Sequence, residues 1–100
     1  MKIKHFQGYG SVNATKVSKT TFTDLFGQQR TKLIIKVQGL HEWGLKVNDT
    51  YDGVRWLLSK FDKTAPTESY KVQMTAEYGA DVKVDNEYGY EEVCVYTFIY

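Results

Sequence analysis

The side chains able to do chemistry are few: His5, His41, Glu42 and Cys94, with carboxylates scattered mostly through the second half of the chain. Catalysis needs a nucleophile beside a base, an acid and base as a pair, or a metal-binding set at a defined spacing. The triplet His41-Glu42-Trp43 lacks the second histidine, four positions on, that would place two imidazoles on one helix face around zinc. One cysteine and two distant histidines have no spacing that brings them together. The plain reading is that His5 and His41 end strands or lie in loops and that Cys94 is a small core hydrophobe. Gly8 and Gly10 are followed by neither a Lys-Ser or Lys-Thr pair nor a helix, so they do not cradle phosphate. These residues point away from an enzyme and from a bound metal or cofactor.

Three groups carry binding chemistry instead. Trp56, with Arg55 and Lys60 close by, makes an aromatic and cationic anchor of the kind that dominates interface energetics, where one buried Trp is worth about 2 kcal/mol or more. The competing reading folds the segment 77–92 over Trp56 and makes it core. The second group interleaves Glu77, Asp81, Asp85, Glu87, Glu91 and Glu92 with Tyr78, Tyr88 and Tyr90, opposed only by Lys83. Acid and tyrosine together imitate the charge and stacking of nucleic acid and suit a basic groove on another protein. There Asp85, Glu87, Glu91 and Glu92 would meet Lys or Arg, while Tyr88 and Tyr90 fill pockets; a solvated loop is the ordinary alternative. The third group is basic, Lys2, Lys4, Lys16, Lys19, Arg30, Lys32 and Lys36, with His5, Phe6, Tyr9 and Phe22 as stacking surfaces for a nucleic acid. Against it stand a pI of about 7.8, the absence of an aromatic RNA-binding signature, and the habit of Lys to protect strand edges.

Local patterns predict the elements that must position these groups. Residues 2–9 alternate weakly and end in the turn-forming 8–11. Residues 12–23 are rich in Thr and Val, and 30–40 place Leu33, Ile35 and Val37 on one face against Lys32, Ile34, Lys36 and Gln38 on the other. The two form a hairpin with Gly27 in its loop. A helix follows over 48–61, with Asn48 or Asp49 to accept hydrogen bonds from its first turn and Asp52 of the right sign for its dipole. Stepping about 100° per residue gathers Val54, Leu57, Leu58 and Phe61 into one arc and leaves Trp56 on the wet side. Past the only proline, 70–78 alternates, with Tyr70, Val72, Met74 and Ala76 inward; 79–92 reads as an acidic loop or irregular hairpin; 93–100 is apolar on both faces and so central in its sheet. The order β-β-β-α-β-β predicts an α+β fold, an antiparallel sheet of about five strands with one helix packed on a face.

Length and composition agree. One hundred residues, 42% hydrophobic and 25% charged, make one globular domain over 1–100 that buries a core without staples. Eight Tyr among fifteen aromatics exceed what a small core needs, so some rings are expected at the surface. A single cysteine and an N-terminus without an apolar h-region predict a reduced, cytoplasmic setting, and no apolar run is long enough to span a membrane. The formal charge of +1 hides an asymmetry: residues 1–48 hold eight Lys or Arg against two acids, residues 49–100 five against ten. Exposed strand edges also allow a homodimer.

The strings HFQGYGSVNA (5–14), HEWGL (41–45) and CVYTFIY (94–100) resemble those of small proteins carried by phages and conjugative elements of Gram-positive bacteria. Such elements commonly encode single-domain proteins that block host defence, including anti-CRISPR proteins that bind a Cas nuclease. The resemblance implies a non-enzymatic inhibitor of a host defence nuclease in the bacterial cytoplasm, with the host protein as partner. The other expectation is a small nucleic-acid-binding accessory protein that uses the basic first half.

Overall fold

The computed structural model describes residues 1–3, 12–40, 50–79, 85–86 and 89–100. Its elements in chain order are β1 (Lys2–Ile3), β2 (Val12–Thr23), β3 (Gln29–Leu40), α1 (Tyr51–Phe61), β4 (Gln73–Tyr78), β5 (Asp85–Asn86) and β6 (Gly89–Ile99), with a short 3₁₀ turn over Ser69–Lys71 before β4. The strands pair antiparallel in the order β1-β2-β3-β6-β4, and β5 pairs only with the start of β6. This is the α+β architecture that the sequence predicts, and the final strand is central, as its two apolar faces require.

Pairing fixes which side chains share a face, because residues directly opposite each other point the same way. Leu33, Ile35 and Val37 of β3 stand opposite Phe98, Tyr96 and Cys94 of β6, and all six are fully buried. Ala14 opposite Val37, with Val12 and Ile3 beyond it, extends this inner face across β2 and β1. The apolar arc of α1 closes over it: Tyr51, Val54, Leu57 and Leu58 are buried and Phe61 packs against them. Fully burying each such side chain is worth about 1.5–3 kcal/mol. Tyr51 meets Phe98 edge-on with centroids 6.3 Å apart, and its hydroxyl donates to the Pro66 carbonyl.

Several local expectations change. Thr50 stands at the N-cap of α1 and its side chain makes no capping hydrogen bond; Asn48 and Asp49 lie outside the described residues. Tyr70 does not point inward but is 82% exposed, because the 3₁₀ turn at Ser69–Lys71 ends the extended pattern and β4 begins only at Gln73. The last strand starts at Gly89, so Tyr90, Glu91 and Glu92 are strand residues, with Glu91 opposite Leu40 and Glu92 opposite Gly39. Of the early strand expected over 2–9, only Lys2–Ile3 falls among the described residues.

Candidate functional site

Among the described residues, the most exposed apolar side chains sit on the turn between β2 and β3. Leu25 and Phe26 are 101% and 89% exposed, flanked by Phe22 on the preceding strand. Burial does not hold them there; the turn does. Asp24 Oδ1 accepts from the backbone N–H groups of Phe26 and Gln28, each at 2.9 Å, while Oδ2 takes the Arg30 guanidinium at 3.0 Å. The Asp24 N–H donates to the Gln28 carbonyl and the Gly27 N–H to the Asp24 carbonyl. Gly27 adopts φ +78°, the left-handed region that a side chain resists. The bond to the Gln28 N–H, then that from Arg30, hold the Asp24 carboxyl below its ordinary value, so it stays ionised and occupied with its own turn. The chain thus presents a preorganised apolar projection.

A shallow groove of about 610 Å³ runs behind the projection, between Phe22, Leu25 and Phe26 on one side and Tyr70 and Lys71 on the other. The Lys71 ammonium lies 5.9 Å from the Tyr70 ring centroid and 3.8 Å from Glu68. Asp24 and Arg30 pair with each other and Lys71 with Glu68, so the charges at this groove are matched. Convex apolar tip, adjacent aromatics and little charge make a surface suited to an apolar pocket on another protein.

Trp56 is not on the open side of α1. It is half-buried and packs against the core, its indole N–H donating to the Gly53 carbonyl at 3.0 Å. The segment after the helix shares its surroundings: Ala65, Pro66 and Thr67 line a hollow of about 310 Å³ with Tyr51, Arg55 and Trp56. The Arg55 guanidinium reaches the Thr67 carbonyl at 3.5 Å, and Lys60 is exposed in the last turn. Trp56 and Arg55 are therefore neighbours, as expected, but within a hollow walled by Ala65, Pro66 and Thr67. Of the acidic group, Glu87 and Tyr88 lie outside the described residues; Asp85 is placed in β5, and Tyr90, Glu91 and Glu92 in β6, by backbone alone.

The basic group is divided. Lys2, Arg30, Lys32 and Lys36 belong to the outer face, away from α1, whereas Lys16 and Lys19 stand opposite Ile35 and Leu33 on the inner face. Lys4 lies outside the described residues. Two of these cations are committed, Arg30 to Asp24 and Lys19 to Asp62 at 3.4 Å. The charge asymmetry does survive in the sheet, since strand order keeps β2 and β3 side by side with five Lys or Arg and no acid, while β4 and β6 hold Glu77, Glu91 and Glu92 and no base.

Cys94 is fully buried and burial pushes its thiol up, which suits a core hydrophobe rather than a nucleophile. His5, His41 and Glu42 lie outside the described residues, among which no cluster of His, Cys, Asp and Glu could hold a metal and no helix is long and apolar enough to cross a membrane. Sequence reasoning missed the tip, although Asp24-Leu25-Phe26-Gly27, two large apolar residues inside a turn signal, was there to be read. Comparison with protein-family models, with curated proteins and with solved structures finds no match to this chain.

Proposed function

We propose that this chain is a non-enzymatic protein-binding domain that docks the Leu25–Phe26 tip into an apolar pocket on its partner. One observation carries the reading: two contiguous large apolar side chains stand in water on a turn locked by Asp24. Burial of each on binding is worth about 1.5–3 kcal/mol, and a rigid tip loses little conformational freedom in gaining it. Within this class, the sequence resemblance favours stoichiometric inhibition of a host defence nuclease. The acidic residues Asp85, Glu87, Glu91 and Glu92, with Tyr88 and Tyr90, are a second contact in that complex, and Trp56 with Arg55 and Lys60 borders a third.

The test is inhibition of purified Cas nuclease cleavage by the native chain, by Leu25→Ser with Phe26→Ser, and by Glu91→Lys with Glu92→Lys. Inhibition that falls at least tenfold in the tip variant, with an unchanged melting curve, supports the reading. Equal inhibition by all three removes the tip. Lys2, Lys32 and Lys36 on one outer face support nucleic-acid binding as the second reading. There, Lys32→Glu with Lys36→Glu would weaken binding to single-stranded DNA, and affinity would fall steeply with salt.

A further inference from the structure

The groove behind the tip draws on four strands at once. Phe22 of β2 stands opposite Arg30 of β3, Lys32 of β3 opposite Ile99 of β6, and Ile99 opposite Gln73 of β4. Phe22, Arg30, Ile99 and Gln73 therefore share the outer face at one end of the sheet, where all four line the groove. Leu25 and Phe26 border it on one side, Tyr70 and Lys71 on the other. A projection and a hollow thus lie side by side on one end of the molecule.

Apolar exposure is concentrated there. Of the seven large hydrophobic side chains exposed among the described residues, four line this groove: Phe22 at 38%, Tyr70 at 82%, and the two of the tip. At about 150–250 Å² for a whole aromatic side chain, the four offer roughly 500–600 Å² per copy. Two such patches pressed together remove about 1,000–1,200 Å² from water, the lower limit of a specific interface. The charges beside them do not select a charged partner, because Asp24 pairs with Arg30 and Glu68 with Lys71 within the same chain. What fits is an apolar surface of matched charge with one projection and one hollow, and the chain carries that surface itself.

We propose that a second copy of this chain occupies the groove: the Leu25–Phe26 tip of each copy seats in the groove of the other, about a two-fold axis between the two tips. Such a contact is isologous, each copy giving a tip and taking one, and it closes at two. A groove of about 610 Å³ lies within the range that encloses ligands larger than two side chains. The Asp24 contacts hold the tip in shape beforehand, so little order is lost on docking. An area at the lower limit places the dimer in the micromolar range. The inference rests on the reading of the tip as a docking element and adds its regulation: the dimer withholds both tips, and another partner must take the monomer.

Sedimentation equilibrium of the full chain from about 1 to about 500 µM tests this. The expected mass rises from 11.6 kDa towards twice that value and stops there. Phe26→Ser on the tip and Tyr70→Ser on the groove should each weaken association at least tenfold, while Val17→Ser, at an exposed apolar residue in the middle of β2, leaves it unchanged. All three changes fall on exposed side chains, which keeps folding out of the comparison. A mass that stays monomeric, one that climbs past two copies, a dimer indifferent to Tyr70→Ser, or an equal loss in Val17→Ser would overturn the proposal. The nuclease assay with the tip variant judges docking separately: inhibition that needs the tip in a chain that stays monomeric sinks the dimer and leaves the docking reading in place. A tip-dependent dimer beside inhibition indifferent to the tip does the reverse.

Discussion

The Tyr100 hydroxyl donates to Asp62 Oδ2 at 2.5 Å and ties the residue after β6 to the residue that ends α1. Asp62 is a junction. Its Oδ1 accepts from the Thr64 N–H and hydroxyl, its Oδ2 also faces the Lys19 ammonium of β2, and its own N–H donates to the Leu58 carbonyl. The carboxylate is 9% exposed, so every one of these partners replaces water.

Acid should therefore unfold the domain through Asp62. Burial alone would raise its carboxyl, but the hydrogen bonds from Thr64 and Tyr100, with Lys19, outweigh burial and hold it down to about 2 from 3.8. The unfolded chain binds this proton more readily than the folded one, so the stabilisation is complete above about pH 4 and is lost as pH falls through 2; in size it is about 2 kcal/mol. Asp62→Asn should lower the melting temperature at pH 7 and flatten the acid limb between pH 4 and 2. Calorimetry that finds the limb unchanged would move it to other carboxylates.

The same bond predicts an alkaline limb. Burial, then the Asp62 contact, raise the Tyr100 hydroxyl above its ordinary 10.0. Here the unfolded state loses its proton first, so this contribution is present below pH 10 and disappears as pH rises beyond it. Tyr100→Phe should cost about 1.5–3 kcal/mol at neutral pH, the range for a bond to a charged acceptor. Denaturant unfolding at pH 7 and at pH 11 should show the variant's deficit shrinking at the higher pH.

Trp56 tests packing against binding. Its indole lies along α1 with its N–H on Gly53, beside Ala65 and Pro66. Trp56→Ala should destabilise the fold by about 2 kcal/mol, less than for a fully buried Trp. A variant that melts like the native chain yet loses its partner would restore Trp56 as an anchor.

What could be read in the sequence is what depends on near neighbours. Leu33, Ile35 and Val37 alternate without interruption, and the arc of Val54, Leu57 and Leu58 follows from helical geometry alone. The lysines could not be assigned to faces because the bulge between Lys16 and Ser18 reverses the alternation of β2: Ala14 and Lys16 point inward before it, Lys19 after it. Tyr70 was misplaced for a similar reason, since the pattern runs unbroken through a 3₁₀ turn that breaks the strand. The Asp62 junction joins residues 19, 62, 64 and 100, contacts that no local spacing announces.

Cys94 should be silent in the folded protein. It is fully buried between Val93 and Val95, opposite Val37, and burial raises its thiol, so both access and thiolate are withheld. Alkylation by iodoacetamide should proceed only as the domain opens, and its rate should rise with denaturant in step with unfolding. Rapid alkylation of the native chain would contradict this burial.

The tip offers the sharpest separation of stability from binding. Leu25 and Phe26 bury almost nothing, so changing both to Ser should shift unfolding free energy by no more than about 0.5 kcal/mol. Their presentation depends on two other residues. Asp24→Ala removes the acceptor for the Phe26 and Gln28 N–H groups and frees Arg30; amide exchange at Phe26 and Gln28 should accelerate while the core amides of Leu33 and Ile35 keep their protection. Gly27→Ala has open space for its methyl but must hold φ +78°, a cost of about 1 kcal/mol that is entirely backbone. If preorganisation matters, both changes weaken partner binding although neither touches the apolar surface. Partner affinity that follows Leu25 and Phe26 but ignores Asp24 and Gly27 would mean that the tip binds as a flexible loop and that its rigidity serves only the fold.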